Sequence, residues 1–153
     1  MKLSSLFLTV VLCAVAPITF ARDKAVEAPI RQMMDGFNKG DIAMVKAAHV
    51  ASPTIVDNVA PFVWSGPNAF DQWIVDLGKS ESSLGIADGK VTFAPVVDEV
   101  VKGERAYVVT RSVYVFKQKG RAMREDGYTA FVLVKTSVGW KVESWSWASP
   151  VAK

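Results

Sequence analysis

The run RAYVVTRSVYVFKQKGRAMREDGYTAFVLVKTSVGWKVESWSWA, residues 105–148, decides the fold. It is rich in β-branched and aromatic residues, which suit a pleated surface. Two short turn segments cut it, Lys117 to Gly120 and Ser137 to Gly139. The pieces Arg105–Phe116, Tyr128–Lys135 and Trp140–Ala148 therefore read as sequential strands joined by hairpins, and so as an antiparallel meander. Lys90 to Val101 reads as a further strand before them, with Pro95 marking a bulge or a sheet edge.

The residues upstream carry a different period. Val26, Ile30, Met33, Met34 and Phe37 recur at spacings of three and four, which predicts an amphipathic helix over about Lys24 to Asn38. Gly40 stops it. Asp41 caps a second helix through about His49, with Ile42, Val45 and Ala48 inward. Ser52-Pro53 breaks that helix, and Thr54 to Val56 reads as a short strand. Asn68 starts a third helix bearing Phe70, Trp73, Ile74 and Leu77, closed by Gly78, with a polar loop from Lys79 to Gly89. Helices first and strands second give an α+β domain, with three N-terminal helices packed in a curved antiparallel sheet.

Composition bounds the function. Half of the 153 residues are hydrophobic and 22% are charged, the balance of one globular domain. Leu6 to Ala16 is an apolar run too short to span a membrane. It follows Lys2, and Thr19-Phe20-Ala21 ends in a small residue, so residues 1–21 have the layout of a signal peptide. Cleavage after Ala21 leaves the domain as residues 22–153 and implies a periplasmic or secreted protein. The one cysteine, Cys13, lies in that segment, so the remainder holds no thiolate or disulfide. A single histidine and no further cysteine cannot build a common zinc site, and no cofactor motif is present. The net charge of +3 is spread without a basic stripe, which argues against a nucleic-acid partner.

Several short motifs fall in a telling order. Gly40-Asp41-Ile42 lies between the first two helices. Thr54-Ile55-Val56-Asp57 precedes Trp64-Ser65-Gly66-Pro67 and the third helix. Gly139-Trp140-Lys141-Val142 opens a last strand that ends Trp145-Ser146-Trp147. This order resembles the nuclear transport factor 2-like, or SnoaL-like, superfamily over essentially all of residues 22–153. The resemblance implies a cone whose curved sheet wraps the helices and leaves a pocket at the open end. It also implies a homodimer formed through the sheet. Ketosteroid isomerase is a catalytic member, and its general-base aspartate corresponds to Asp57. Its two oxyanion donors fall near Met33, which cannot donate, and Thr129, a weak substitute.

Candidate residues follow, each with two readings. Asp57 is either a general base set in an apolar pocket or a turn residue bonding local backbone. Arg111 shares a strand face with Tyr107, Val109 and Val113. The resemblance aims that face at the pocket, where Arg111 needs Asp57, Glu125 or an anionic ligand; the other reading leaves Arg111 in water. Tyr114 and Thr110 then belong to the outer face. Trp145 and Trp147 are pocket walls or core packing, and Trp64 is a further candidate wall. His49 is an acid–base partner of Asp57 or a helix-end residue. Glu125 and Asp126 partner Arg111 or end a solvated hairpin. The leading expectation is a binding domain for a small, partly apolar ligand, anionic where Arg111 faces it. The alternatives are an isomerase, lyase or hydratase using Asp57, with Arg111 or Tyr128 steadying an oxyanion, and a homodimeric module without ligand.

Overall fold

The structure is a computed structural model that describes residues 23–149. The expected signal peptide, with Cys13, lies outside the described residues. Helix α1 spans Lys24–Lys39, α2 Ile42–Ala47 and α3 Ala69–Leu84. The strands are β1 His49–Val56, β2 Val63–Ser65, β3 Ile86–Lys102, β4 Arg105–Gln118, β5 Arg121–Thr136 and β6 Gly139–Ala148. The architecture is α+β, with helices inside one curved six-stranded sheet of order β2-β1-β6-β5-β4-β3.

Local chemistry sets the helix ends. The Asp23 carboxylate accepts from the Ala25 N–H at 2.8 Å, and the Asp41 carboxylate from the Met44 N–H at 2.9 Å. Each satisfies an N–H that has no partner within its helix. The stripe Val26, Ile30 and Met33 is buried, and α1 lies on the sheet through it. Phe70 and Trp73 of α3 fill the space beside it, with Trp73 edge-on to Phe37 at 5.5 Å.

Three boundaries differ from expectation. The second helix stops at Ala47 and His49 already opens β1, so Ser52 and Pro53 lie inside a strand. Pro53 is tolerated there because the pairing of β1 with β6 shifts register between His49 and Thr54. Helix α3 runs through Gly78 to Leu84, and the expected loop from Lys79 to Gly89 is helix and strand instead. An exposed mid-helix glycine costs only about 1 kcal/mol. The real terminator is Gly85, in the left-handed region at φ 68°, whose N–H bonds the Ser82 carbonyl. Strand β5 begins at Arg121, so Glu125 and Asp126 sit within the sheet.

The sheet is antiparallel except at one place. β1 runs parallel to β6, with Ile55 opposite Trp145 and Val56 opposite Ser146. The chain leaves β1, passes through α3 and the meander, and returns beside it. That crossover is too long to infer from adjacent segments. It matters for the site, because it brings Asp57, just past the end of β1, to the end of β6 that carries Trp147. β3 is an edge strand, and its register with β4 shifts on both sides of Val96, beside Pro95. Both expectations for Pro95 are met together.

Candidate functional site

Alternation along β4 decides what faces the helices. Ala106, Val108, Thr110, Ser112 and Phe116 are buried, and Tyr114 lies among them on the inner face. The odd-numbered set points the other way. Tyr107 is 43% exposed, Arg111 is exposed, and Val109 and Val113 are half-buried on the outer face. Tyr128, which pairs with Arg111 across β4 and β5, is 52% exposed. The expected phase is thus reversed by one residue, and a slip of one exchanges the faces. The outer set is as apolar as the inner one, so composition did not mark the core side. Arg111 makes no hydrogen bond or ion pair with the described residues, and neither Asp57 nor Glu125 partners it.

The inner face and the helices enclose a cavity of about 530 Å3. Its apolar wall includes Met33, Phe37, Ile74, Leu77, Phe93 and Trp147. Asp57, Glu81, Tyr114, Glu125, Trp73 and Trp145 also line it. Asp57, Glu125, Trp145 and Trp147 therefore meet at one site. Trp64 does not reach it; its indole N–H donates to the Asp76 carboxylate at 3.1 Å.

Asp57 is held on both oxygens. The Trp73 indole donates to Oδ2 at 2.8 Å, and the Asn58 N–H donates to Oδ1 at 2.7 Å. The two readings of Asp57 coexist, since one oxygen bonds local backbone while the carboxylate faces the cavity. Burial pushes its pKa up, against the two donors that favour the charged form, and Glu81 pushes it further up. Glu125 is also raised, first by burial and then by the Asp57 charge. Glu125 lies opposite Tyr114 in the register of β4 and β5, and it has no hydrogen-bond or ion-pair partner among the described residues. The Tyr114 hydroxyl donates to Glu81 at 2.7 Å. Burial and that carboxylate push the phenol above its ordinary range, so Tyr114 stays protonated.

Close approach shapes this corner. A Cβ at Gly89 would stand 2.8 Å from Cε2 and Cζ of Tyr114, inside any normal contact. Only glycine lets β3 pass the ring and leaves the hydroxyl on Glu81.

His49 has a different task. Its ring is buried, and Trp145 donates its indole N–H to Nε2 at 3.0 Å. An indole can only donate, so Nε2 must accept and the proton sits on Nδ1. Nδ1 then donates to the Val45 carbonyl at 2.9 Å. Burial lowers the His49 pKa to about 4. Both nitrogens are committed, so His49 is no acid–base partner of Asp57. It fixes Trp145, which stands edge-on to Trp73 at 5.0 Å, and Trp73 in turn holds Asp57.

The counterparts of the isomerase donors do not restore an oxyanion hole. Met33 lines the cavity without a donor. Thr129 is fully buried, bonded to the Ser112 hydroxyl at 2.7 Å, and lies outside the cavity lining. Trp73, Glu81, Tyr114 and Gly89 were not singled out from the sequence as site residues. Trp73, Leu77 and Glu81 follow at intervals of four, so carrying the third helix past Gly78 would have placed Glu81 on the cavity stripe. Among the described residues no group of histidine, cysteine and carboxylates could hold a metal, and no helix is long and apolar enough to cross a membrane.

No sequence-family model matches the chain, and no curated protein does. Solved structures do. A ketosteroid isomerase-like protein from Erwinia carotovora atroseptica superposes with a TM-score of 0.64 at 19% identity, over 83% of this chain and 95% of that one. A nuclear transport factor 2-like superfamily protein from Salmonella enterica gives 0.66 at 15%, over 82% and 89%. An equivalent protein with a cystatin-like fold from Novosphingobium aromaticivorans gives 0.66 at 16%, over 82% and 80%. Identities this low speak for the backbone and not for the chemistry. The chain has the nuclear transport factor 2-like fold, the cone that the order of its motifs implies.

Proposed function

We propose that the protein is an exported domain that binds a small, partly apolar molecule in the cavity between α1, α3 and the sheet. One observation carries this reading. The cavity of about 530 Å3 is roomy enough for a small molecule, and it combines aromatic walls with a few placed polar groups. A core built only for stability would fill that volume with side chains. The layout of residues 1–21 supports export to the periplasm or beyond. The apolar outer face, with Tyr107 and Tyr128 exposed, suits a homodimer formed through the sheet.

A second reading rests on Asp57. Its raised pKa and its place on the cavity wall fit a general base of an isomerase, lyase or hydratase. The oxyanion-steadying role expected of Arg111 or Tyr128 drops out, since both lie on the outer face. Glu125, when protonated, is the group left to donate a proton or hydrogen bond into the cavity.

Native mass spectrometry of the protein isolated from its own source tests the binding reading. A small extra mass that survives gentle ionisation and leaves on activation supports it. The released molecule, offered to the Asp57→Asn variant, then separates the two readings. A binder keeps part of its affinity, because Asn can still accept from Trp73 and the apolar wall is unchanged. Turnover that depends on Asp57 falls by at least about a hundredfold.

A further inference from the structure

The lining of the cavity is one-sided in charge. Among the described residues four carboxylates border it, from Asp57, Glu81, Asp88 and Glu125, and no lysine, arginine or histidine does. Yet the chain is basic, with 18 Lys and Arg against 15 Asp and Glu. No described basic residue forms part of that wall, although Lys117 reaches Asp88 at its border and Lys90 bonds the Asn38 carbonyl.

The four carboxylates are not equivalent. Asp88 pairs with Lys117 at 2.8 Å and needs nothing more. Glu81 accepts from Tyr114, and Asp57 from Trp73 and Asn58. These are neutral donors, so no positive charge balances either group. Among the described residues Glu125 has neither a donor nor a cation. A half-buried charge without a partner is a cost that folding does not repay. Trp73, Trp147 and Tyr114 also border the cavity, and aromatic rings attract cations through their quadrupoles.

Resting on the binding reading above, we propose that the molecule this cavity takes is an amine in its ammonium form, with the charge between Asp57 and Glu125 and an apolar body against Trp147 and Leu77. This reverses the anionic ligand that an inward Arg111 would have required. The ammonium supplies what the wall lacks: donors for Glu125 and a positive charge that offsets its repulsion with Asp57. A carboxylate ligand would add a further like charge to a wall already bearing three uncompensated ones.

A matched set of one-ring probes tests the idea: 2-phenylethylamine, 2-phenylethanol and phenylacetate. Binding to the purified protein is followed by tryptophan fluorescence and calorimetry near pH 8, where the carboxylates are ionised. The amine is expected to bind at least about tenfold more tightly than the alcohol, and phenylacetate more weakly than both. Glu125→Gln should remove most of the amine's advantage and leave the alcohol unchanged. Should that variant fail to fold, acidifying the native protein serves instead, since the advantage must shrink as Asp57 and Glu125 take up protons. An alcohol or phenylacetate that binds as well as the amine overturns the inference and leaves the binding reading standing. So does an amine preference that neither Glu125→Gln nor acid diminishes, because the charge would then be recognised elsewhere. No binding by any of the three at millimolar concentration, with the fold intact by circular dichroism, overturns both.

Discussion

His49 and Glu125 are both ionisable, both pushed toward their neutral forms by burial, and both sit on the sheet beneath the helices. Around His49 each ring nitrogen has a fixed partner, Val45 on one side and Trp145 on the other. Around Glu125 neither oxygen has one among the described residues. The difference separates a buried polar group that completes the fold from one that the fold leaves open. The first is a cross-link between the end of α2 and β6. The second is capacity held on the wall of a cavity. Burial and shifted acidity alone would rank the two together as site candidates. Partner counts distinguish them.

The largest expected effect breaks this comparison at His49. Its folded pKa is lowered, to about 4, from an ordinary 6.5. Below 6.5 the unfolded chain takes up a proton that the folded ring resists, so stability falls as pH drops from 6.5 toward 4 and levels off below. The shift corresponds to about 3 kcal/mol. Urea denaturation at about pH 7.5 and about pH 4 should show native protein losing about 3 kcal/mol more than His49→Gln over that interval. Equal losses in the two proteins would mean that His49 is exposed or charged in the fold, and the tautomer assigned from Trp145 would be wrong.

Much of the fold was legible, and the site was legible in part. The helical stripe of Val26, Ile30 and Met33, the cap at Asp41 and the hairpin turns are local features, which a sequence states directly. Asp57 came through as well, because its place after a strand is a matter of order. What was not legible depended on phase and distance. In β4 the residues Tyr107, Val109 and Val113 are as β-prone as Val108 and Phe116, so alternation showed two faces without saying which is inner. Arg111 and Tyr114 were exchanged for that reason. The parallel pairing of β1 with β6 joins residues about ninety apart, and nothing local encodes it. His49 read as a helix end because its true partner, Trp145, lies 96 residues away.

A middle-sized effect sharpens the comparison at Tyr114. Removing its hydroxyl in Tyr114→Phe leaves Glu81 without its donor, and the ring still fills its place beside Gly89. The expected loss is about 1 kcal/mol, since Glu81 is only half-buried and water can replace the phenol. Gly89→Ala should cost more, because the new Cβ collides with the ring itself. Thermal denaturation of the two variants gives the order. If Tyr114→Phe is the worse of the pair, the hydrogen bond and not the packing governs this wall.

The smallest effect is expected at Arg111, which the sequence left open between a ligand-facing and a solvated position. Arg111 is exposed on the outer face and bonds none of the described residues. Its neighbour across the strands, Tyr128, is exposed too. Arg111→Ala should therefore change monomer stability by no more than about 0.5 kcal/mol, the range of surface substitutions without a partner. Affinity for any cavity ligand should not move, because the backbone of the sheet lies between the two faces. Denaturation and ligand titration check both halves of that statement. A larger loss that depends on protein concentration would show that a second copy covers the outer face. The cavity argument would survive, and Arg111 would belong to the dimer instead of to water. A loss of ligand affinity at fixed oligomeric state would strike harder, since it would place Arg111 on the inner face and undo the assignment of the two sides of β4.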